Sequence, residues 1–144
     1  MGKLAQQLND ASRSGVYRVP RADEALDAVR GARLDLARVD LAGAADKEAL
    51  LERLAQALAF PDWFGGNWDA LEDCLTDLSW RAGTGHALLL ERHGELPVDD
   101  LGVLIDVLAA AAAHWAGRGR PFFAVFVDPD GDMALPELSG HKGA

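Results

Sequence analysis

The sequence predicts an α/β domain in which a small parallel sheet is flanked by helices. Three observations carry that prediction. Short strand-like segments are separated by longer segments of helical periodicity, the order expected of strands joined through helices. Two of the strand segments, 86–91 and 121–127, are apolar almost throughout, as strands covered on both faces are, and right-handed helical crossovers between parallel strands provide that cover. The chain has 144 residues, 49% of them hydrophobic, enough for one domain with its own core.

Taken in order, residues 1–14 are polar with a weak helical pattern through Leu4 and Leu8, a short helix or a frayed terminus. Residues 15–19 read as a short strand ended by Pro20. A helix over 22–30 follows, with Ala22, Ala25, Leu26 and Val29 inward, and Gly31 is expected to stop it. Residues 33–41 alternate as a strand, but Leu34 and Leu36 share one parity while Val39 and Leu41 share the other. A bulge or a change of burial near Ala37 is therefore expected. Asp46 is placed to cap a helix running to Leu58, whose inward stripe is Leu50, Leu51, Leu54 and Leu58. After the central stretch, a turn at 83–85 leads to the strand 86–91. The longest helix, about 98–115, turns Leu101, Leu104, Ile105, Leu108 and Ala112 inward; Gly117 and Gly119 close it before the last strand, PFFAVFV.

The unusual part is residues 60–80, FPDWFGGNWDALEDCLTDLSW. Gly65 and Gly66 break an apolar run, Asn67 can cap, and a helical pattern extends from Trp68 to Ser79. Leu71, Cys74, Leu75 and Leu78 fall on one side of that helix; Asp69, Glu72, Asp73 and Asp77 fall on the other. Asp69 suits a helix start, but like charges four positions apart each cost a few tenths of a kcal/mol, and no lysine or arginine lies between Arg53 and Arg81. Such a face is either merely solvated or a docking surface for something cationic. Trp63, Phe64 and Trp68 beside the acids favour docking, because aromatic anchors next to charges suit an interface.

The segment WFGGNWDALEDCL, residues 63–75, resembles the signature of the barstar family, intracellular inhibitors of barnase-type ribonucleases. A looser resemblance covers about 33–128, leaving 1–32 as an N-terminal strand and helix extension and 129–144 as a C-terminal tail. The resemblance implies a three-stranded parallel sheet with helices packed on it, to which the extension is added. It also implies that the protein is an inhibitor of antitoxin or immunity type, blocking the active site of a basic ribonuclease. Residue by residue, it assigns Trp63 to the aromatic packed on the enzyme, Gly65 and Asn67 to loop contacts, and Asp69 and Asp73 to central carboxylates flanked by Glu72 and Asp77. Two positions depart from the family pattern. Glu72 stands where barstar has a tryptophan, and a glutamate presented late in the long helix is replaced within 109–113, which points to a related ribonuclease rather than barnase itself.

Composition narrows the alternatives. A formal net charge of −9 repels phosphate backbones and disfavours direct nucleic-acid binding. The single cysteine, Cys74, allows no internal disulfide and reads as a small core residue. Without a cationic apolar leader or an 18-residue apolar span, the chain reads as cytoplasmic and free of membrane, a monomer when unbound. The four histidines, His86, His93, His114 and His141, are scattered, and no zinc or phosphate-loop motif occurs, so neither an enzyme nor a cofactor is expected. DPDGDM, 128–133, fails as a calcium loop because Met133 stands where glycine is needed and Ser139 where a bidentate carboxylate is needed. The alternatives left open are an interaction module with a changed partner and a Mg²⁺-dependent hydrolase using Asp69, Glu72 and Asp73.

Overall fold

The computed structural model describes residues 2–138; Ser139 and His141 lie outside them. Four strands, β1 (Gly15–Val19), β2 (Asp35–Asp40), β3 (His86–Glu91) and β4 (Phe122–Val127), form one sheet in the order β1-β4-β3-β2, parallel at every pairing. The N-terminal strand thus extends the expected three-stranded sheet to four, pairing with the last strand of the chain from Gly15 opposite Phe123 to Val19 opposite Val127.

Helices cover both faces. On one face α3 (Lys47–Leu58), α4 (Trp68–Leu75) and α5 (Val98–Gly117) pack on Ala37, Val39, Leu88, Leu90, Phe122, Ala124 and Phe126. On the other, α1 (Lys3–Leu8) and α2 (Ala22–Ala32) pack on Ala87, Leu89, Phe123 and Val125. Two covered faces explain why β3 and β4 carry apolar residues at both parities.

The parity change in β2 has the same origin. Its register against β3 runs without a break from Asp35 to Asp40, so no bulge is present. Leu34 and Leu36 pack under α1 and α2, while Ala37, Val39 and Leu41 are buried in the larger core.

Helix boundaries follow the expected caps with one exception before the central stretch. Asp46 caps α3 by accepting a hydrogen bond from the Ala49 N–H at 2.8 Å. Gly31 does not stop α2, which continues to Ala32 and ends on Arg33 in the left-handed region. A Cβ at Gly31 would lie 3.2 Å from the Ala5 Cβ, so the missing side chain lets α1 approach α2 instead. In α2, Ala25, Ala28, Val29 and Ala32 are buried, with Ala22 and Leu26 at the margin.

α5 is, by length and composition, apolar enough to cross a membrane, with a mean hydropathy of 1.3. The sequence is expected to hold no such span, but by length and composition α5 is one. Its apolar residues Leu104, Val107, Leu108, Ala111, Ala112 and Trp115 are buried in the protein, and its first turn carries Asp99 and Asp100. Leu101 and Ile105 pack at the core margin. The DPDGDM segment is a turn in which buried Asp128 accepts the Met133 N–H at 2.8 Å. Beyond it, Pro136 and Leu138 hydrogen-bond Arg18 on the free edge of β1.

Candidate functional site

The loop before α4 is built by aromatic contacts and one glycine torsion. Phe60 and Phe64 meet edge to face at 4.9 Å, Phe60 and Trp80 at 6.0 Å, and Trp63 stands edge-on to Trp80 at 6.2 Å. Gly66 has φ +71°, which side-chain-bearing residues adopt at a cost. Gly65 is different: a Cβ there would come no closer than 3.5 Å to Asn67, an ordinary contact, so the unbound fold does not demand glycine.

Asn67 then starts α4, its Oδ1 accepting the Ala70 N–H at 2.7 Å. Leu71, Cys74 and Leu75 are fully buried on the inner side, and Asp69, Glu72 and Asp73 are exposed on the outer side. Burial, with the charges of Asp73 and Asp77, pushes the Cys74 thiol up to about 11, so it behaves as a core residue rather than a nucleophile.

The helix ends earlier than its periodicity predicts, at Leu75 instead of Ser79. In a continued helix the Ser79 N–H would meet the Leu75 carbonyl; here Leu78 turns left-handed first, and that carbonyl accepts the Trp115 indole N–H at 2.8 Å. Thr76 Oγ1 donates back to the Glu72 carbonyl at 2.9 Å, and the N–H groups of Asp77 and Leu78 both turn to Cys74. Leu78 reaches the core by adopting φ +50°. Asp77 is therefore exposed in the turn after α4 and not on its helical face, a correction to the expected run of four acids along one helix.

The aromatics also divide. Trp63 is 56% exposed, whereas Phe64 and Trp68 pack against the core and are only partly accessible. Asp62, exposed beside Trp63, adds a carboxylate that lies before the helix and so outside its periodic pattern.

Electrostatically the surface is uncompensated. No ion pair among the described residues involves positions 60–77. The nearest arginine in sequence, Arg81, is committed elsewhere: its Nε and Nη2 donate to the two Asp35 carboxylate oxygens at 2.6 and 3.0 Å. His86 Nδ1 lies 2.9 Å from the same carboxylate. Burial pushes the Asp35 carboxyl up, but hydrogen bonds from Arg81 and His86, together with their charges, outweigh it and hold it below the usual range.

The result is an exposed indole beside a short helix whose outward carboxylates have no cation of their own. Among the described residues no three His, Cys, Asp or Glu side chains come together as a metal site. Residues 34–127 match the family model described as Barstar (barnase inhibitor). The chain belongs to the barstar family. Its family is thus one of barnase inhibitors, and the matched region begins just before β2 and closes with β4, enclosing the whole candidate surface. A comparison with curated proteins gives no match. Among solved structures, the crystal structure of Cdc6p from Pyrobaculum aerophilum aligns at 14% identity with a TM-score of 0.45, over 80% of this chain and 32% of that one.

Proposed function

We propose that this barstar-family chain inhibits a basic, barnase-type ribonuclease by seating α4 and the Trp63 loop in the enzyme's active-site cleft. The observation that carries the reading is the unpaired acidic surface: Asp69, Glu72 and Asp73 exposed without a cation, beside an indole more than half exposed. A cleft that binds RNA must hold a polyanion and is lined by arginine, lysine and histidine. Carboxylates on a rigid helix can occupy its phosphate positions and offer no bond to cleave. Asp73 is the central anchor, Asp69 and Glu72 flank it, and Asp77, displaced into the turn, is a rim charge.

Asn67 and Gly65 fit the same arrangement. The Asn67 side-chain carbonyl is engaged in capping, leaving its amide as the group free to meet a partner. Gly65 tolerates a side chain in the free fold, so a closely approaching partner is what its bareness serves. The setting for such an inhibitor is the cytoplasm, where it protects the cell's own RNA.

The departures keep a second reading alive, an interaction module of the same fold with a changed partner. Glu72 replaces an aromatic with a charge, and exposed Ala109, Ala110 and Ala113 leave the late outer face of α5 with Asp106, one turn earlier, as its carboxylate. Titrating a barnase-type ribonuclease with the purified chain separates the two. Stoichiometric loss of RNA cleavage is expected; tight binding without loss of cleavage, or no binding to any such ribonuclease, rejects active-site blockade.

A further inference from the structure

We propose that Trp80 is a positioning residue for docking, holding the exposed Trp63 ring in its binding orientation, and that the Arg81–Asp35 ion pair holds Trp80 in turn. The inference rests on the inhibitor reading for its consequence, though not for its geometry.

Trp63 lies in a loop ending in two glycines, and more than half of its surface is in water. Nothing in that loop's composition fixes an indole. The ring is nevertheless braced, standing at 85° to the Trp80 ring with centroids 6.2 Å apart, within the favourable range for edge-to-face pairs. Trp80 is itself held on three sides. Its indole N–H donates to the Leu58 carbonyl at 2.9 Å, tying it to the end of α3. Its ring stands at 89° to the Phe60 ring. The next residue, Arg81, is pinned by both Asp35 oxygens and reaches the Leu36 carbonyl at 3.4 Å, which fixes the backbone to the start of β2.

These contacts converge on one outcome. A side chain ordered before binding loses less freedom on docking, so the brace raises affinity without touching the partner. For a single ring of this kind the effect is roughly two- to tenfold in Kd.

Two measurements test it. In the free protein, ¹⁵N relaxation of the indole N–H groups compares the parent with Trp80→Leu, Trp80→Phe and Asp35→Asn. The Trp63 order parameter is expected to fall below about 0.6 in Trp80→Leu, to recover partly in Trp80→Phe, which keeps a ring there, and to fall in Asp35→Asn. Trp115, buried on α5 with its indole N–H on the Leu75 carbonyl, serves as the internal reference for the Trp80 variants. A Trp63 order parameter unchanged by Trp80→Leu, or by Trp80→Phe and Asp35→Asn together where the leucine variant does not fold, overturns the proposal.

The second measurement is affinity for a barnase-type ribonuclease in the parent and in Trp63→Ala. Trp80→Leu is expected to weaken binding two- to tenfold in the first background and to have no effect in the second; equal losses in both overturn the proposal. Failure of the parent to bind defeats the inhibitor reading alone, because the relaxation experiment decides the brace by itself.

Discussion

Replacing Asp73 by alanine is expected to strengthen the fold while weakening the complex, and the two effects can be sized from the structure. Asp73 follows Asp69 by one turn on α4, and among the described residues no cation pairs with either. Relief of that like-charge pair contributes ~0.2 to 0.5 kcal/mol. Asp73 also lies in the last turn of a helix of eight residues, where the macrodipole disfavours an anion by ~0.3 to 1 kcal/mol at low salt. With the better helix propensity of alanine, the free protein should gain roughly 0.5 to 1.5 kcal/mol, raising the urea midpoint by several tenths molar. In the complex the same deletion strands the partner's cations. Truncating one partner of a buried, hydrogen-bonded charge pair costs ~2 to 5 kcal/mol. The Kd should therefore rise between roughly thirtyfold and a few thousandfold. Asp77→Ala is the control, costing no more than ~1 kcal/mol as a rim charge. Urea unfolding and calorimetric or stopped-flow binding on both variants give the comparison. If Asp73→Ala lowers the urea midpoint, or binds like the parent, the acidic face belongs to the architecture and the docking argument collapses.

Two further outcomes follow from the charge distribution. Association should slow at least tenfold between ~10 and ~500 mM salt as the Debye length contracts from ~30 Å to about 4 Å, and flat stopped-flow on-rates would contradict electrostatic steering. Asp35, whose folded pKa is lowered, stabilises the fold fully above the ordinary carboxylate range near pH ~3.9 and loses that contribution as pH falls through its folded value. Asp35→Asn should accordingly cost about 1.5 to 3 kcal/mol at neutral pH and flatten the loss of stability below pH ~4, and an acid-unfolding curve parallel to the parent's would show that the Arg81 and His86 contacts are not what holds Asp35 ionised.

Strands were legible in the sequence wherever turn residues bounded an apolar run. β1, β3 and β4 lie between such boundaries and appear within a residue of where composition puts them. The cap at Asp46 and the stripe of α3 were equally readable, because both depend on residues a few positions apart. What escaped were effects of distant partners. Gly31 has the composition of a helix stop, but packing against Ala5 gives it another use. The periodicity of α4 runs on to Leu78, yet Leu78 itself turns left-handed, and the Leu75 carbonyl is bonded by an indole 40 positions away. The mixed parity of β2 became intelligible only once α1 and α2 were found on the second face of the sheet.

The candidate surface divides along the same line. That residues 69–77 are acidic is a property of the sequence; that their charge is unneutralised is a property of the fold. Arg81 is close enough in sequence to have folded back toward Asp77, and an arginine there would have left an ordinary solvated helix end. It is instead drawn to Asp35, 46 positions earlier, by a carboxylate that is mostly withdrawn from water and shared with His86. The pairing of that one guanidinium does two things at once. It removes the local counterion from α4, and it fixes the backbone next to the ring that braces Trp63. The exposed carboxylates and the ordered indole therefore share a structural cause in the ion pair at the start of β2, which is why the electrostatics and the geometry of the surface should fail together when that pair is removed.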